Sequence, residues 1–144
     1  MTDTEVISAH LPDEAATVGF APQLLPYLEG APVVFLEGQL GAGKTTLVRG
    51  ILQSLGHVGP VKSPTYTLLE PYEVAGRTIY HFDLYRIGDS GELDFIGIDE
   101  LMDADALKLI EWPDRGAGRL PAPDLVVRLS LEGEGRRVEV SVTA

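Results

Sequence analysis

The 144-residue sequence contains no cysteine and no asparagine, and each absence removes a class of function. Without cysteine there can be no disulfide framework, no thiol nucleophile and no thiolate-held metal, which suits a reducing compartment. Without asparagine the N-K-x-D pattern that reads guanine in GTPases cannot occur, so adenine is favoured if a base is bound. Basic residues are also scarce, with 11 Lys and Arg against 22 Asp and Glu and a formal charge of −11. Affinity for nucleic acid draws largely on Lys and Arg neutralising phosphates, so unaided binding to RNA or DNA is disfavoured. No apolar run approaches the roughly 18 residues of a membrane span. The first ten residues carry acids where a signal peptide carries bases. The expectation is a cytoplasmic chain with no membrane segment.

A chain of this length, 44% hydrophobic, can bury one core but not two, which predicts a single domain over residues 1–144. After a short N-terminal strand, Pro12 to Leu28 has helical apolar spacing interrupted by Pro22 and Pro26. Val33 to Leu36 reads as a strand buried on both faces, and Thr45 to Leu55 as a helix stopped by Gly56. Tyr66 to Tyr72 and Arg77 to Tyr85 form a predicted hairpin around Ala75-Gly76. Short helices are expected over Ser90 to Asp103, then a buried strand from Ala106 to Ile110. Leu125 to Leu131 and Arg137 to Val142 make a last antiparallel pair. The predicted class is α/β and P-loop NTPase-like: a mixed central sheet flanked by helices, with antiparallel hairpins.

The strongest local signal is Gly38-Gln39-Leu40-Gly41-Ala42-Gly43-Lys44-Thr45, which fits G-x-x-x-x-G-K-[ST] between a strand and a helix. The glycines let successive N–H groups turn inward on phosphate oxygens, and the helix N-terminus adds its partial positive charge. Lys44 is a mobile cation that can reach β- and γ-phosphates. The Thr45 hydroxyl is placed to ligate magnesium, with Thr46 a second hydroxyl beside it. The segment from Gly38 to Thr46 is therefore expected to hold ATP with Mg²⁺. Asp94-Phe95-Ile96-Gly97 imitates a D-x-x-G switch, but no strand precedes it and its apolar residues read as packing.

A P-loop site needs a second strand to bring an acid to the metal, and Glu111 ends the run Ala106 to Ile110 where that acid belongs. Trp112 follows it, beside a nucleotide or capping the core. On the second hairpin strand, alternation puts His81, Asp83 and Tyr85 on one face. Asp83 can reach magnesium or orient a water; alternatively it is the polar face of a half-exposed strand, a reading that fits His81 and Arg86 better still. Lys62 to Thr67, rich in hydroxyls, reads as a nucleotide-sensing switch or as an ordinary Ser/Thr/Pro turn.

Four motifs in order, Gly41 to Thr46, Ser63-Pro64-Thr65-Tyr66-Thr67, Tyr80-His81-Phe82-Asp83-Leu84-Tyr85-Arg86 and Ile110-Glu111-Trp112-Pro113, closely resemble the TsaE (YjeE) family over nearly the whole chain. Glu92-Leu93 and Leu120-Pro121 resemble further family positions. The resemblance implies a weakly hydrolysing ATPase required, with the partners TsaB and TsaD, for threonylcarbamoyl modification of adenosine 37 in tRNA. It also implies that Thr45 or Thr46 and Glu111 serve magnesium, that hydrolysis needs Asp83, and that Glu14 to Thr17 approach the adenine. Arg136, in the last hairpin, is a further nucleotide candidate. Gln39 departs from the Asp common in the family. With so acidic a chain, tRNA is expected to be reached only through the partners.

Two other classes use the same loop. A small-metabolite kinase would need an arginine-bearing lid and an acceptor pocket, whereas the segment after Asp83 is short and acidic. A non-hydrolysing module would sense ATP through the switch-like segment alone.

Overall fold

In the computed structural model, which describes residues 3–143, the strands are β1 (Asp3–Leu11), β2 (Val33–Glu37), β3 (Leu69–Val74), β4 (Arg77–Asp83), β5 (Leu107–Glu111), β6 (Leu125–Glu132) and β7 (Gly135–Thr143). Met1, Thr2 and Ala144 lie outside the described residues. The strands form one sheet in the order β1-β7-β6-β2-β5-β4-β3. The centre, β6-β2-β5-β4, is parallel. Both flanks are antiparallel: β1 on β7 and β7 on β6 at one side, β3 on β4 at the other. The mixed sheet with hairpins at its edges is the architecture the sequence predicts.

Alternation along the central strands sends side chains to two cores. Val34, Leu36, Leu109 and Val127 meet Leu47, Ile51 and Leu52 of α2 (Lys44–Leu55), with Leu24 and Leu28 behind them. Val33, Phe82 and Ile110 point to the opposite face, where Leu93 and Ile98 cover them; Ile98 opens α3 (Ile98–Asp103). Truncating a fully buried residue such as Ile51 to alanine would cost about 2–5 kcal/mol.

The prolines shorten the first helix. α1 covers Glu14–Phe20, with Asp13 as N-cap accepting from the Ala16 N–H, and the chain continues as a 3-10 helix over Ala21–Tyr27 that holds both Pro22 and Pro26. Proline has no N–H to give to an α-helical ladder, so the tighter turn takes over. α1 and α2 approach so closely at Gly50 that an added Cβ would lie 2.8 Å from the Val18 carbonyl oxygen.

Two strand boundaries and one packing expectation differ from the structure. β3 begins at Leu69 rather than Tyr66, because Leu68 adopts φ 68° in a turn closed by its N–H on the Pro64 carbonyl at 2.8 Å. β4 stops at Asp83 rather than Tyr85, since the Leu84 carbonyl accepts from Ile87 and turns the chain. Phe95 lies in a 3-10 helix (Ser90–Ile96) and is 91% exposed, so it does not pack as its sequence context suggested. Among the described residues no helix is long and apolar enough to cross a membrane.

Candidate functional site

The loop from Gly38 to Gly43 leaves the C-terminal end of β2, between its parallel neighbours β5 and β6, and leads into α2. Gly43 precedes the helix with φ 103°, a left-handed conformation that a Cβ would strain. Gly38 serves packing: a Cβ there would come 2.4 Å from the Leu129 carbonyl oxygen of β6. Lys44 opens α2 and is only 5% exposed. Its ammonium folds back over the loop, donating to the Gly38 carbonyl and, at 3.3 Å, to that of Gln39. It also sits 4.0 Å from the centre of the Trp112 ring. Burial pushes the Lys44 pKa down, opposed by the negative field of Glu111, Asp83 and Asp114.

The acids come from the parallel pair β4 and β5, where Asp83 and Glu111 are register partners at the strand ends. Both are nearly buried, at 5% and 3% exposure. The first turn of α2 lies over them, so the Thr45 hydroxyl is 3.0 and 3.2 Å from the two carboxylate oxygens of Glu111. Asp83 accepts from the Tyr85 N–H at 3.0 Å and from the Thr65 hydroxyl at 3.3 Å. Thr65 in turn is 2.7 Å from Ser63 Oγ, and both hydroxyl residues of the Ser63 to Thr67 segment line the site, Thr65 bonding Asp83. Trp112 takes φ 58° directly after β5 and packs partly on the core, its ring 4.9 Å from that of Tyr85.

These groups surround a cavity of about 610 Å³. Leu40 to Thr46 form its floor, with Leu40 exposed at the rim; Asp83, Glu111 and Trp112 form one wall, and Glu14, Thr17 and Arg136 the other. The second wall is assembled by the edge of the sheet, since Leu11 at the end of β1 is the register partner of Arg136 in β7. That pairing sets the start of α1 beside Arg136, which reaches to Gly43. Thr17 is buried and donates to the Asp13 carbonyl at 3.2 Å, while Glu14 pairs with Arg49 at 2.5 Å.

The donor set fits a hard divalent cation: a hydroxyl and carboxylate oxygens suit magnesium. Among the described residues no group of three or more His, Asp or Glu is arranged to hold a metal by itself. Phosphate oxygens and water would have to complete the shell, as they usually do for Mg²⁺. Lys44 is held against carbonyls of its own loop.

Sequence reasoning underrated His81, which it read as part of the polar face of a half-exposed strand. β4 is paired on both sides, and His81 is completely buried with Nε2 2.6 Å from Glu111 Oε2. The available signal was the same alternation that picked out Asp83, two residues on.

A strand, a glycine loop and a helix at the C-terminal edge of a central parallel sheet, with an acid from the neighbouring strand, define a P-loop NTPase-like protein. A family model described as "Threonylcarbamoyl adenosine biosynthesis protein TsaE" matches residues 11–138, and the chain belongs to that family. A Haemophilus influenzae protein named "tRNA threonylcarbamoyladenosine biosynthesis protein TsaE" is 46% identical over 141 residues, covering 94% of this chain and 89% of its own. A Bacillus subtilis protein of the same name is 34% identical over 128 residues, covering 89% of this chain and 79% of its own. The crystal structure of Bacillus subtilis YdiB superposes with a TM-score of 0.81 at 24% identity, over 100% of this chain and 89% of the other, a likeness of fold.

Proposed function

We propose that this protein is an ATP-binding, weakly hydrolysing P-loop ATPase. In this reading it works with TsaB- and TsaD-type partners in threonylcarbamoyl modification of tRNA adenosine. The observation that carries the reading is the convergence of Lys44, Thr45, Asp83 and Glu111 on one cavity over the glycine loop. The names of the relatives supply the pathway.

The loop N–H groups and the end of α2 would cradle the phosphates, with Lys44 leaving its loop carbonyls for the β- and γ-oxygens. Thr45 and Glu111 would hold Mg²⁺, with Thr46 the adjacent hydroxyl, and the ion would neutralise charge developing on the phosphates. Asp83, one strand away, would orient the attacking water or add to the metal side. Glu14, Thr17 and Arg136 lie on the wall an adenosine would face, and Trp112 closes the phosphate side. The Ser63 to Thr67 segment, tied to Asp83 through Thr65, would be ordered by the triphosphate and change the surface offered to a partner.

The test is phosphate release from Mg·ATP by the protein alone and with TsaB, TsaD and tRNA. Partner-dependent release of free phosphate is expected; a phosphorylated small-molecule acceptor would indicate a kinase instead. With a charge of −11 the isolated chain should not retain tRNA at physiological salt, measured by anisotropy. Tight, salt-sensitive binding by the chain alone would overturn the indirect role.

A further inference from the structure

His81 and Ile79 share the face of β4 that looks toward α2, and the ring of His81 is 0% exposed among apolar neighbours of that core. One nitrogen, Nε2, meets Glu111 Oε2 at 2.6 Å. The other, Nδ1, is buried with no hydrogen-bond partner. A carboxylate oxygen accepts, so the ring donates from Nε2, and among the described residues this is the only polar work the imidazole does. An apolar residue of the same size would fill the space without leaving a nitrogen unpaired. The imidazole therefore calls for an explanation other than packing, and its one bond names it.

The contact is directional. Glu111 Oε2 is fastened from below by His81 and faces the Thr45 hydroxyl at 3.0 Å, which makes a chain from His81 through Glu111 to Thr45. A carboxylate held by one such bond loses much of its rotational freedom before any ligand arrives. Groups of this kind, behind the ligands themselves, commonly decide how well a metal is held.

We propose that His81 is a positioning residue that fixes the Glu111 carboxylate for magnesium. The proposal rests on the reading of Glu111 as the metal-side acid. His81 would touch neither nucleotide nor metal; its effect is to keep Glu111 aimed past Thr45 rather than turned into the core.

Two substitutions of nearly equal length separate positioning from packing. His81→Gln retains an N–H donor near the Nε2 position, and His81→Met fills similar space without one. Calorimetric titration with ATP, in magnesium and then in EDTA, gives the gain in affinity due to the metal for each folded protein. Circular dichroism melting reports stability separately. The wild type should show a magnesium gain that Glu111→Gln loses. His81→Gln should keep most of that gain, and His81→Met should lose about tenfold or more of it, with both unchanged in EDTA. Equal magnesium gains in the Gln and Met variants, whatever their melting temperatures, would overturn the positioning role. A wild type with no magnesium gain would instead overturn the reading of Glu111, and the proposal with it.

Discussion

The two sides of the sheet treat polar side chains in opposite ways. On the antiparallel flank, His10, Glu132 and Arg137 meet at the surface, with Glu132 accepting from Arg137 Nε and from His10 at 2.6 Å each. Beneath them β6 and β7 bury Val127, Leu129, Val138 and Val140. On the parallel side, Lys44, His81, Asp83 and Glu111 are all at most 5% exposed and gather where the C-terminal ends of β4 and β5 meet the first turn of α2. Burying charge is costly, and pairs of this kind are seldom the cheapest way to stabilise a fold. The flank spends its charge where water already solvates it; the parallel edge holds charge where a bound polyphosphate and cation would exploit a weakly screened field.

The sharpest test of that contrast is to remove charge but keep shape on the parallel side. Asp83→Asn and Glu111→Gln are expected to lower phosphate release, measured with partners present, by about 100-fold or more. Both should leave the fold intact by circular dichroism. Normal hydrolysis in both would make this edge a structural feature like the flank.

Lys44→Ala is expected next in size. It removes one charge-assisted contact to phosphate, a loss of about 1.5–3 kcal/mol or roughly 10- to 150-fold in Kd by calorimetry. The alanine protein should be no less stable than the wild type without nucleotide, because the ammonium is bonded to loop carbonyls rather than paired with a carboxylate, and its burial outweighs the favourable field of Glu111, Asp83 and Asp114, pushing its pKa down. An unchanged Kd would separate the loop from ATP.

Gly50→Ala tests the scaffold common to both sides. The new Cβ would press the Val18 carbonyl from 2.8 Å, and helices α1 and α2 would have to part. About 1–3 kcal/mol of stability should be lost in denaturant unfolding, offset in part by the better helix propensity of alanine. A neutral substitution would mean that this crossing yields more readily than its packing suggests.

Much of this is legible in the sequence. Glycine spacing located the loop, the end of an apolar run located Glu111, and alternation located Asp83. The cavity wall of Glu14, Thr17 and Arg136 was harder, because Arg136 comes to the other two through the pairing of β1 with β7 at opposite ends of the chain, and no local pattern encodes that register. There, resemblance supplied what periodicity could not. His81 was underrated for a related reason: burial of a strand depends on what flanks it, and β4 has partners on both sides. Pro22 and Pro26 break the helical pattern in the sequence, and the chain there forms a 3-10 helix.

The smallest expected effect belongs to the flank and depends on pH. Hydrogen bonds from Arg137, and then from His10, lower the Glu132 pKa below the ordinary carboxylate value. A carboxyl group whose pKa is depressed by folding contributes stability above its unfolded pKa, about 4.3 for Glu, and loses it as pH falls through the folded value. Glu132→Gln should therefore lower Tm slightly at neutral pH, and the difference from the wild type should fade in acid once the native carboxyl is protonated too. Added salt should shrink the neutral-pH difference, since these groups are solvent-exposed and their attraction is screened within about 8–10 Å. ATP binding should not change, because Glu132 does not line the cavity. A pH-independent loss of Tm, or a weakened nucleotide affinity, would mean that the flank is coupled to the site and that the division between the two sides of the sheet is too sharp.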